Sequence, residues 1–94
     1  MIRYVIEREV PGAGALSEDE LREMSRTSIR ALGSLAPRVQ WIHSYVTDNK
    51  VYCIYLADDE EAVREHARLA GLPADRISAI RRLQPFSKLI NHDG

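Results

Sequence analysis

The chain has a single cysteine, Cys53, in 94 residues, so it cannot form a disulfide within itself. A lone thiol fits a reducing compartment, and the cytoplasm is the expected location. No apolar run approaches the ~20 residues that a membrane-spanning helix needs, so no membrane partner is expected. Met1 leads into Ile2, Arg3 and Tyr4, which read as a strand rather than a signal peptide. Charge of one sign is also missing: 13 basic and 14 acidic residues leave a formal net charge of −1. That balance offers no basic excess to grip a phosphate backbone. There is no C-x-x-C, no H-E-x-x-H and no close histidine pair, hence no local metal motif. Internal sequence repeats and low-complexity segments are absent as well.

What is present divides cleanly into elements. Arg3-Tyr4-Val5-Ile6-Glu7-Arg8-Glu9-Val10 is rich in β-branched and aromatic residues and predicts a strand. Pro11-Gly12-Ala13-Gly14 ends it, because proline lacks a donor and glycine frees the backbone. Ser17 and Glu20 have the spacing of a capping box, and Leu16 and Leu21 that of a hydrophobic staple. The apolar stripe of the helix they open runs through Met24, Ser28, Ala31, Leu32 and Leu35, and Gly33 and Pro37 mark its end.

Val39 to Val46 and Val51 to Leu56 read as two strands of a hairpin around a two-residue turn, Asp48-Asn49, two residue types that tolerate positive φ. That turn would place Ser44 opposite Cys53 and Ile42 opposite Tyr55 on one face. The other face would pair Tyr45 with Tyr52, His43 with Ile54 and Trp41 with Leu56. Asp58 is the expected cap of a second helix, whose Val63, His66, Ala67 and Ala70 share a face and which Gly71 closes. Arg76 to Leu83 is a weaker last strand, and residues 85–94 are expected to form a C-terminal tail after a domain of residues 1–84.

The order β-α-β-β-α-β is that of the α+β ferredoxin-like split βαβ fold. A chain this short buries only about 60–65% of its unfolded surface. Both faces of the hairpin are apolar, so one is expected under the helices and the other against a second copy. The expected assembly is a homodimeric α+β barrel. RNA-recognition domains share this strand order, but Val51-Tyr52-Cys53-Ile54-Tyr55 lacks their glycine, and nucleic acid is not an expected partner.

His43, Cys53 and His66 are the groups suited to chemistry near neutral pH, with Glu7, Glu9 and Tyr45 as possible companions. Each also has a plainer role: His66 as a hydrogen-bonded core residue, Cys53 as inert packing, His43 as an interface hydrogen-bonder. Imidazole and thiolate together suit nickel, zinc or copper. Cys53 acting as a nucleophile would need His66 as its base.

Four segments carry a family resemblance: Val5 to Gly12, Trp41 to Val46, Val51 to Tyr55, and Glu61 to Ala67 followed by Gly71. Together they resemble the small bacterial nickel-binding ferredoxin-like proteins, a domain of unknown function. The resemblance spans nearly the whole chain and implies a dimeric α+β barrel that takes nickel or another divalent ion. It carries over Cys53 and His66 as metal ligands, with His43 and Glu7 as further candidates. The alternative is a small cofactor-free enzyme, monooxygenase- or isomerase-like, with an organic ligand in a pocket between sheet and helices.

Overall fold

The computed structural model describes residues 1–85; the expected tail lies, from residue 86 on, outside the described residues. The elements run β1 (Ile2–Glu9), α1 (Glu18–Leu32), β2 (Val39–Val46), β3 (Lys50–Ala57), α2 (Glu60–Ala70) and β4 (Arg76–Ala79), with a 3-10 turn at Ala13–Ala15. The strands form one antiparallel sheet in the order β2-β3-β1-β4. This is the ferredoxin-like arrangement expected from the pattern. β4 is shorter than expected: it pairs only with β1, from Tyr4↔Ala79 to Glu7↔Arg76, and ends before Ile80.

Strict alternation positions the core. Tyr4, Ile6 and Arg8 of β1 and Val51, Cys53, Tyr55 and Ala57 of β3 are all buried on the face that carries the helices. α2 meets them with Ala62, Val63, His66, Ala67 and Ala70, and α1 with Ser28 and Ala31. The small residues let the helix backbones come close to the sheet, and Val63 and Ile6 fill the centre.

The hairpin follows the expected register from Val46↔Val51 to His43↔Ile54. Beyond that point a β-bulge makes Ile42 the extra residue, and Trp41 pairs with Tyr55 instead of Leu56. Two pairings read from the sequence are thereby corrected. Trp41 moves to the helix side, where its indole Nε1 donates to Ser44 Oγ at 2.9 Å, and Ile42 is left exposed. Asp48-Asn49 is the hairpin loop as expected, yet neither residue has positive φ. Backbone contacts from the β1–α1 connection secure the loop: Val10 N donates to Asn49 O at 2.9 Å and Gly14 N to Asp48 O at 3.1 Å. A Cβ on Gly14 would stand 2.9 Å from Asp48 Cα, so this contact requires glycine.

The first helix opens on the full capping box, Ser17 Oγ accepting from Glu20 N and Glu20 Oε1 from Ser17 N, both at 3.1 Å. Ser17→Ala is expected to cost about 1 kcal/mol, read as a lower urea midpoint with unchanged slope. The second helix is capped by Asp59, which accepts from Ala62 N at 2.8 Å, and not by Asp58. Asp58 lies one residue too early and sits 3.8 Å from Arg38.

Candidate functional site

Alternation along β1 buries a guanidinium. Arg8 follows Tyr4 and Ile6 on the helix-facing side and is only 1% exposed. Its Nε donates to Cys53 Sγ at 3.5 Å, its Nη2 to the Tyr55 hydroxyl at 3.2 Å, and its Nη1 to the Pro73 carbonyl. None of these acceptors is a carboxylate, and among the described residues Arg8 has no ion-pair partner.

His66 continues the network from α2. Its Nε2 lies 3.0 Å from the Tyr55 hydroxyl and 3.1 Å from Ser28 Oγ of α1. Arginine has only donors, so the Tyr55 oxygen accepts from Arg8 and its own hydrogen is free to go to His66 Nε2. The imidazole then keeps its proton on Nδ1, which has no partner among the described residues. Burial, with the Arg8 charge added to it, pushes the His66 pKa down to about 4, so the ring is neutral at pH 7. Burial likewise raises the Tyr55 pKa, and the hydroxyl keeps its proton.

In front of this chain lies an open pocket of about 200 Å³ between the sheet and α1. Leu21, Met24, Trp41, Val51 and Leu72 give it apolar walls, and Arg8, Cys53, Tyr55 and Ser28 supply its polar groups. His66 is set behind Tyr55 and Ser28 rather than in the wall.

The four residues singled out from the sequence divide between the two sides of the sheet. Cys53 and His66 share the helix side, joined through Arg8 and Tyr55. His43 and Glu7 stand on the open face. His43 is exposed, edge-on to Tyr45 at 5.0 Å between ring centres, and Glu7 lies 3.8 Å from Arg76. Among the described residues no three His, Cys, Asp or Glu side chains converge as a metal site would require. The helix side suits a dication poorly for a second reason. A unit charge about 4 Å from a fixed guanidinium meets about 4 kcal/mol of repulsion at an effective dielectric of 20, and a divalent ion twice that. Among the described residues of one chain, the helix side offers Cys53 and His66 as its donors, too few for a site by themselves and set beside the Arg8 charge.

Arg8 had no place among the candidates drawn from the sequence, although period-two alternation with Tyr4 and Ile6 puts it on the buried face. Trp41 reaches the pocket only through the bulge, which leaves no local sequence signal.

A family profile described as "Nickel responsive protein SCO4226-like" matches residues 4–80. The crystal structure of SCO4226 from Streptomyces coelicolor A3(2) superposes with a TM-score of 0.73 at 16% sequence identity, covering 87% of this chain and 99% of that one. At that identity the likeness concerns the fold. No curated protein matches the sequence.

Proposed function

The chain belongs to the SCO4226-like family of nickel-responsive proteins, and from that membership we propose that it works as a homodimer that binds a divalent ion, nickel first, on the open face of its sheet. The observation that carries this reading is the character of that face. An antiparallel sheet with one side in water ordinarily turns polar residues outward. Here Val5, Tyr52, Ile54 and Leu56 are only half-buried, and Tyr45 and Ile42 are exposed. A second copy laid on this face would cover them and bring two His43 imidazoles, and the carboxylates of Glu7, into one interface. Ligands supplied by two chains would complete a set that one chain lacks. The helix-side pair, Cys53 and His66, is the less suitable donor set because of Arg8.

The test is calorimetric titration of metal-free protein with Ni²⁺, Zn²⁺ and Cu²⁺, with light scattering to follow oligomeric state. A dimer is expected that takes Ni²⁺ at a simple ratio, loses it in His43→Ala and keeps it in His66→Gln. Loss in His66→Gln alone would move the site to the helix side. A monomer indifferent to all three ions would remove the proposal. The enzyme reading is favoured by one observation, the apolar pocket backed by a neutral His66 through Tyr55; general acid/base chemistry at the Tyr55 hydroxyl would be its core.

A further inference from the structure

We propose that the helix-side pocket is a binding site for a small monocarboxylate with an apolar body, held by Arg8. This inference does not depend on the metal reading, since the pocket and the open face lie on opposite sides of the sheet.

A guanidinium withdrawn from water is costly unless an anion and hydrogen bonds compensate it. Arg8 is almost fully buried, and the chain gives it three neutral acceptors. A guanidinium has five N–H donors, so two are left without a partner among the described residues. The same side chain lines the pocket. An anion entering there meets a fixed positive charge with one N–H on each terminal nitrogen still unpaired among the described residues.

The walls define the rest of the ligand. Leu21, Met24, Val51 and Leu72 offer nothing to a polar body, and the Trp41 indole has its N–H already bonded to Ser44. Serines 25, 28 and 44 add hydroxyls to the lining. A cavity of about 150 Å³ holds benzene, so a pocket of about 200 Å³ accommodates one ring with a carboxylate, or a short alkyl chain of similar bulk. One arginine neutralises one charge; a dianion such as phosphate would bring a second, uncompensated charge and no apolar body to fill the walls.

Calorimetry on the full chain, supported by the fluorescence of Trp41, the single tryptophan, tests this with benzoate, hexanoate, benzamide and inorganic phosphate. Benzoate or hexanoate is expected to saturate one site per chain, about ten- to hundredfold more tightly than benzamide, the margin of a charge-assisted hydrogen bond. Phosphate is expected not to displace them. Arg8→Met should erase the preference for the acid over the amide. Ser25→Phe, which leaves Arg8 in place and fills the pocket, should abolish binding of both, so the test stands even if Arg8→Met fails to fold. Equal affinity for benzoate and benzamide in the unaltered protein, displacement by phosphate at equal concentration, or carboxylate binding unaffected by Ser25→Phe would each overturn the proposal.

Discussion

Ile6→Ala is expected to lower stability by about 3–4 kcal/mol, among the larger effects a single side chain can have in this protein. Ile6 is fully buried at the centre of β1, paired with Cys53 of β3 on one side and Ile77 of β4 on the other. Truncation removes apolar contacts and leaves a cavity that the surrounding strands cannot close, and such changes cost roughly 2–5 kcal/mol. A domain of this size has only about 5–15 kcal/mol in total. The midpoint of thermal unfolding should drop by roughly 15–25 °C. The matched control is Ile29→Ala on the exposed side of α1, where Ile29 is 56% exposed and the expected change is within about 0.5 kcal/mol. Equal effects at the two positions would mean that the sheet does not pack on the helices through β1.

Acidification should destabilise the protein between pH 6.5 and pH 4, and His66→Gln should remove most of that slope. The unfolded imidazole titrates near 6.5 and the folded one at about 4. The folded state therefore binds fewer protons than the unfolded state within this window. The contribution of neutral His66 is fully present above pH 6.5, falls as pH drops through the window and is exhausted below pH 4. Its size is at most about 3.5 kcal/mol, because a tenfold change in proton affinity between the two states is worth about 1.4 kcal/mol.

The groups around the ring fix the sign. The Arg8 guanidinium repels the imidazolium, and the raised pKa of Tyr55 keeps its hydroxyl protonated through this window. Glu65, lowered by its hydrogen bond to Arg68, loses its contribution as pH falls through and below the ordinary carboxylate range, and it is common to both proteins. Urea midpoints taken every half pH unit separate the outcomes. Parallel curves for the two proteins would show that His66 is not held neutral by its surroundings.

The candidate site was legible in part because β-structure has a period of two. Given that Cys53 faces the helices, the stripe on α2 places His66 on the same side and His43 on the other, as observed. The character of the site was less accessible. Alternation puts Arg8 on the buried face, but a buried arginine runs against the ordinary preference of charged residues for water. Its three acceptors come from positions 53, 55 and 73, and no local pattern links them.

The sequence by itself determined the elements and their order. Capping residues, glycine and proline stops, and apolar periodicity are local, acting within a few residues of the chain, and the β-α-β-β-α-β succession follows from them. Family membership was equally legible, and the family profile matches residues 4–80. Tertiary structure alone decided the bulge at Ile42, which turns Trp41 toward the helices, and the docking of α2 on the sheet, which joins a thiol, a phenol and an imidazole to Arg8 in one hydrogen-bonded chain. Both depend on groups distant in sequence competing for the same space and the same hydrogen bonds, and that competition exists only once the layers have packed.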